Sequence, residues 1–175
     1  MDFPVAEFDR ANRAGAIVFI SLILLFLLAA LAPFDFEKYV KEFPIRWLLA
    51  GIGLFYLVLM LIVTGWAPAG YRLTDTEFVV RRRFFGEKRY PLQFFERVEN
   101  AEGIFKAGSQ KVSGSAGLFG YFGAFRNREW GKFEAQATNS AKALIILGTK
   151  KLLISPREPE LLREILTAKL IRNKK

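Results

Sequence analysis

GSAGLFGYFGAF, residues 114–125, sets glycine at every third position, 114, 117, 120 and 123, with Phe119, Tyr121, Phe122 and Phe125 between them. Three readings compete: a loop that holds a phosphate, an aromatic surface, or the bent start of a strand. A P-loop continues into Lys-Ser/Thr and a helix that meets the anion. Neither follows here, and the next segment, GKFEAQAT (131–138), has a strand's period of two. The dinucleotide fingerprint G-x-G-x-x-G is also absent. Nucleotide binding is therefore set aside. In a strand, glycine permits a sharp bend or the close approach of another backbone. Alternation sends Phe119, Tyr121 and Phe125 one way and Phe122 the other. Buried, the four aromatics supply core; exposed, they form a docking surface for a protein partner or lipid.

Working outward, GKFEAQAT puts Phe133, Ala135 and Ala137 on one face and Lys132, Glu134, Gln136 and Thr138 on the other, as expected of a half-buried antiparallel strand. KALIIL (142–147) and KKLLIS (150–155) flank Gly148-Thr149 as a hairpin. SPREPELLREILTAKLI (155–171) reads as a closing helix with Pro159 in its first turn and an apolar face of Leu161, Leu162, Ile165, Leu166 and Leu170. Upstream, YRLTDTEFVVRRRF (71–84) gives two strands around Asp75-Thr76, and Gly86 supplies the positive φ for a tight turn. Pro91 places the third strand at an edge or a bulge. QFFERVENAEGI (93–104) is a helical turn or more strand, and KAGSQKVSGS (106–115) has the composition of a flexible loop.

Hydrophobic residues make up 52% of the 175, concentrated near the N-terminus. Ala14 to Phe34 carries no charge over 21 residues, and Trp47 to Tyr71 none over 25. Each exceeds the roughly 20 residues that a helix needs to cross a bilayer core. The expected organisation is an N-terminal tail (1–13), a transmembrane hairpin (14–70; helices about 14–34 and 47–69, connector 35–46) and a domain from 71 to 175. Trp47 and Trp66 stand near the ends of the second helix, where amphipathic aromatics favour the headgroup zone.

The segment 113–139 (SGSAGLFGYFGAFRNREWGKFEAQATN), together with ISPREPELLREIL (154–166), resembles the bacterial pleckstrin-homology-like family. The resemblance covers roughly residues 71 to 171, and its most specific parts are Gly117–Gly123, Gly131–Phe133, Ala137–Asn139 and Ile154–Pro156. It implies a partly open seven-stranded barrel capped by one helix and no catalytic activity. The expected fold class is thus an α+β membrane protein: a two-helix hairpin followed by a small antiparallel β-barrel or bent sheet under a C-terminal helix. Eukaryotic relatives that bind phosphoinositides set basic residues around the first turn. Here that turn is the short, acidic LTDTEF (73–78), which argues against such a pocket there.

No cysteine and no histidine occur, which removes disulfides, thiolate or imidazole metal ligands and His-based triads. Ser113 and Lys111 lie two residues apart in a Gly/Ser stretch with no orienting group. No cofactor, metal site or enzymatic activity is expected. Nucleic acid is not the expected partner, because the positive charge is scattered. The expected function is a membrane-anchored module that presents its domain to a protein partner or to anionic lipid headgroups. The alternative is an accessory subunit acting mainly through its helices.

The basic run RRRFFGEKR (81–89) is the candidate membrane contact, through Arg81, Arg83, Phe84, Phe85, Lys88 and Arg89. The strand before it returns from the Asp75 turn, which brings Phe84-Phe85-Gly86 back towards the bilayer. Each Lys or Arg near an anionic leaflet adds about 1 kcal/mol of attraction. Alternation sends Arg82 to the opposite face, within range of Glu96 or Glu99. Residues 72–175 hold 21 Lys or Arg against 11 Asp or Glu, whereas the connector carries three of each. That asymmetry predicts a multi-pass protein with both termini cytoplasmic, and the resemblance implies that the membrane is a prokaryotic inner membrane. Protease mapping should find only residues 35–46 accessible from outside; a C-terminal reporter active only outside would reverse this topology.

Overall fold

The structure is a computed structural model and describes residues 1–32, 45–105 and 108–173. The connector 35–46 lies almost wholly outside the described residues. A short strand β1 (Asp2–Pro4) precedes the helices α1 (Arg10–Leu31) and α2 (Ile45–Trp66). Both are long and apolar enough to cross a membrane, with mean hydropathies of 2.9 and 2.4. They pack antiparallel: Leu27 lies against Gly53, and Phe19 and Phe26 meet Tyr56 with ring centroids 5.5 and 6.1 Å away. α1 starts before the uncharged run because Asp9 caps it. α2 stops at Trp66 because Pro68 already opens a strand.

Strands β2 (Pro68–Leu73), β3 (Glu77–Arg82) and β4 (Glu87–Pro91) form an antiparallel sheet with β1, in the order β1-β2-β3-β4. Pro91 does end an edge strand, and Gly86 turns the chain at φ 71°. A single 3-10 turn (Leu92–Phe94) leads to the second sheet. Its strands are β5 (Phe95–Asn100), β6 (Gln110–Ala116), β7 (Tyr121–Asn127), β8 (Gly131–Ala137), β9 (Leu144–Gly148) and β10 (Leu152–Ile154), ordered β5-β9-β10-β8-β7-β6. Helix α3 (Pro159–Arg172) follows.

Several expectations need correction. The sheets do not close into a barrel. Beside β4 the gap is bridged by side chains, Lys88 to Glu134 at 2.7 Å, in place of a backbone ladder. The fold is not wholly antiparallel, since β8 and β10 run parallel. The stretch 110–115, expected as loop, is strand β6 paired with β7. The tail 1–13 is not separate from the domain, since β1 is a strand of its first sheet.

The second sheet is covered on both faces, which explains why alternation misled on β8. Phe133, Ala135 and Ala137 join Phe125, Ile145 and Leu153 in one apolar cluster. The opposite face turns towards the first sheet, so Gln136 and Thr138 are buried rather than solvated. On that side Tyr71, Phe78, Val80, Leu152 and Ile154 form the main core, closed by Leu162, Leu166 and Leu170 of α3. Leu161, assigned to the same helix face, is exposed.

Leu162→Asp or Leu166→Asp would bury a charge in that core and should cost about 3 kcal/mol or more. For a chain of this size that lowers Tm by roughly 6 to 12 °C. Leu161→Asp should change Tm little. Thermal unfolding of the detergent-solubilised chain separates the three.

Candidate functional site

The N-terminal residues are gripped along their length. The Met1 ammonium donates to the Leu73 carbonyl (2.9 Å), and Asp2 accepts from Arg72 Nε (2.8 Å). Val5 bridges to Pro156, and the Ala6 amide donates to the Ser155 carbonyl (2.8 Å). Thr138 Oγ1 donates to the Ala6 carbonyl (2.5 Å) and Asn139 Nδ2 to that of Glu7 (2.9 Å). Ala137–Asn139 and Ile154–Pro156 are thus the receptor for the tail. Behind them, the buried Tyr71 hydroxyl donates to the Gln136 carbonyl (2.6 Å) and accepts from the Ser155 amide (3.0 Å), and burial pushes the phenol pKa up.

The grip continues into α1. Asp9 caps the helix by accepting from the Asn12 amide at 3.0 Å. Its other oxygen accepts from the Tyr121 hydroxyl (3.0 Å) and from the amide and hydroxyl of Ser140 (3.1 and 3.2 Å). Burial alone would raise the Asp9 carboxyl. The amides of Asn12 and Ser140, then the hydroxyls of Tyr121 and Ser140, outweigh it and hold the carboxyl below its ordinary value. The Tyr121 phenol is pushed up to about 12 by burial and by the Asp9 charge. Asn12 is fully buried. It donates to Asp9 (2.9 Å) and to the Thr138 carbonyl (3.1 Å), and accepts from the Gly120 amide (2.8 Å).

These bonds settle what the glycine stretch does. A Cβ on Gly15 of α1 would lie 2.6 Å from the Gly117 carbonyl oxygen, so the helix runs flush against this loop. Gly114 and Gly123 are register partners in β6 and β7, at φ 98° and 112°. A Cβ on Gly114 would come 2.0 Å from the Phe122 carbonyl oxygen. Gly114, Gly120 and Gly123 serve backbone approach, and Gly117 supplies a positive φ of 94°. Phe119, Tyr121, Phe122 and Phe125 are all buried, Phe119 in the left-handed region at φ 56°. As a docking surface they are therefore corrected to core and helix contact. The signal that sequence reading missed is Asp9 with Asn12, a capping pair just before an apolar run.

The basic turn meets the other helix. Phe84 N–H donates to the Gly65 carbonyl (3.2 Å) and Arg83 N–H to that of Ala67 (3.1 Å). The Phe85 ring abuts Gly65 and lies 5.3 Å from the Trp66 ring. Phe84 remains 64% exposed, more open than Phe85. The candidate cations divide. Arg83 stands over the Phe8 ring at 5.5 Å, beside the helix ends. Arg81 and Arg89 pair with acids of their own sheet, at 4.0 Å to Glu87 and 3.7 Å to Glu77. Lys88 reaches across to Glu134. Arg82 does point the other way, but it covers the Trp66 ring at 4.3 Å instead of pairing with Glu96 or Glu99.

Two sheets, one closing helix and a tail woven into the first sheet define a small α+β domain of the pleckstrin-homology-like class. The family described as Bacterial PH domain matches residues 69–170, more than half of the chain, and the chain belongs to it. No curated protein and no solved structure matches the chain significantly.

Asn12→Leu keeps the helix but leaves the Gly120 amide without a partner and the Thr138 carbonyl with only the long bond from the Asp9 N–H (3.4 Å), at a cost of about 1–3 kcal/mol that thermal unfolding reads as a lower Tm. Asp9 supplies a pH signature. Its folded pKa is lowered, so its stabilisation is present above the unfolded value near about 3.9 and is lost as pH falls through the folded one. In melts from about pH 7 down to about pH 3, the parent should lose Tm in that acid window by more than Asp9→Asn does. Parallel curves would remove the role assigned to the cap.

Proposed function

We propose that the chain is a non-catalytic, membrane-anchored binding module that holds its domain in one fixed pose at the bilayer surface. The observation that carries this is the mounting. α1 enters through a capped, hydrogen-bonded start, and α2 passes into β2 across one residue, Ala67, so no linker separates the helices from the sheets. Domains tethered for reach carry flexible linkers; this one has its orientation built in. The helices support the anchor. Leu24, Leu25, Leu28, Leu54, Phe55 and Leu61 are exposed around them, a pattern suited to lipid.

In this pose the Phe84-Phe85 turn sits at the end of α2 and touches the headgroup region on the cytoplasmic side. Phe84 is the inserted side chain and Arg83 its nearest cation. Arg81, Lys88 and Arg89 contribute less because acids already neutralise them. The domain's remaining surface is what it offers to a partner or a headgroup.

The chain has no cysteine, so single labels are clean. An environment-sensitive fluorophore on Phe84→Cys should shift to the blue in vesicles and be quenched by headgroup-labelled lipid, while the same label on Leu161→Cys should respond to neither. Equal responses from the two positions would overturn the pose.

A further inference from the structure

Between the sheets the packing changes character along its length. Near α3 it is dry, with Leu152, Ile154 and Phe78 fully buried. Towards β4 and β8 it opens as a groove. A cavity of about 480 Å3 lies between Lys88, Tyr90, Lys132, Glu134, Lys150 and Lys151. A second, of about 370 Å3, shares Lys88, Gly123 and Glu134 with it and ends at Trp66, Arg82 and Gln136. Gly114 and Gly123 contribute no side chain to fill this space.

Two independent features mark the groove as built for a ligand. The first is charge. Glu134 is satisfied by both its contacts to Lys88, at 2.7 and 2.8 Å, and by Gln136 Nε2 at 3.1 Å. Lys132, Lys150 and Lys151 enter no ion pair among the described residues, so the mouth keeps an excess of positive charge. The second is hydrogen bonding. Among the described residues, the buried side-chain polar atoms without a well-formed hydrogen bond are Arg82 Nε, Gln136 Oε1 and Tyr90 Oη, the last beside the Glu134 carboxylate. All three line the two cavities. Tyr90 and Gln136 are 2% and 3% exposed. Orphaned groups at such depth are rare in folded proteins.

We propose that this groove binds an oxyanion that also carries a hydroxyl, of the phosphoglycerol class. Arg82 Nε is a donor and faces an anionic oxygen; the Tyr90 hydroxyl, beside Glu134, is a second donor that the ligand's anionic oxygens compete for. Gln136 Oε1 is an acceptor and needs a donor from the ligand, which a fully ionised oxyanion such as sulfate lacks. The lysines at the mouth supply point charges of the kind that bind phosphate. The end at Trp66 lies where α2 meets the domain, so a lipid headgroup can enter there and a soluble ester from the Lys132 side. This names a ligand for the binding module and rests on that reading.

The test uses the full chain in nanodiscs. In neutral phosphatidylcholine discs, glycerol 3-phosphate should bind saturably by calorimetry and more tightly than sulfate. In phosphatidylglycerol discs the chain should melt higher than in phosphatidylcholine discs, because a ligand for the folded state raises Tm. The soluble ester alone responding assigns that source, and the lipid alone responding assigns the headgroup. Lys132→Gln with Lys150→Gln changes exposed residues only and should weaken either response about tenfold or more. Tyr90→Phe, which keeps the ring, should weaken it about five-fold. Lys142→Gln, outside the groove, should have no effect. No response to any probe, or losses no greater than with Lys142→Gln, would overturn the site. Sulfate matching glycerol phosphate would overturn the part given to Gln136. The fluorophore at position 84, read in the same discs, reports the membrane pose independently of both.

Discussion

Asn12 is a polar side chain buried at the start of an apolar helix, and its amide must find every partner inside the protein. It does so by joining three segments distant in sequence: the Asp9 cap, the Thr138 carbonyl after β8, and the Gly120 amide before β7. A buried amide left unpaired costs about 1–3 kcal/mol per group. The helix can therefore start in one place only relative to the sheets. Tail pairing, the flush approach of Gly15 to Gly117 and the burial of Phe119 all follow from that anchoring.

The glycine spacing has separate causes along the stretch. A helix backbone can touch a loop only where no side chain intervenes, and it is Gly15 of α1 that leaves this gap, against the Gly117 carbonyl. Gly120 leaves room for the Ala137 carbonyl, and Gly114 and Gly123 let β6 and β7 cross closely. Gly117 has open space where a Cβ would stand and is needed for its positive φ of 94°.

Local signals were legible and long-range ones were not. The α3 start at Pro159, the β9–β10 hairpin and the Gly86 turn rest on nearby residues, and each stands where sequence reading put it. Open sheets in place of a barrel, the parallel β8–β10 pair and the burial of Gln136 depend on what lies across the core, which period-two alternation does not report. Asp2–Pro4 is too short to declare itself a strand and exists because β2 offers an edge. The candidate residues of the RRRFFGEKR turn were found by charge. Which of those charges are spent became visible only with Glu77, Glu87 and Glu134 in place.

Mounting and groove meet in one side chain. Arg82 lays its guanidinium on Trp66, the last residue of α2, while its Nε faces the inter-sheet space unpaired. A cation over an indole is held by about 1–2 kcal/mol when shielded from water, which is enough to fix a rotamer and too little to satisfy a buried donor. Any shift of α2 relative to the first sheet must therefore move the donor at the end of the groove. Conversely, a ligand that engages Arg82 favours the helix position that presents it. With no linker between α2 and β2 to absorb the motion, occupancy of the groove and the pose of the helices are parts of one equilibrium.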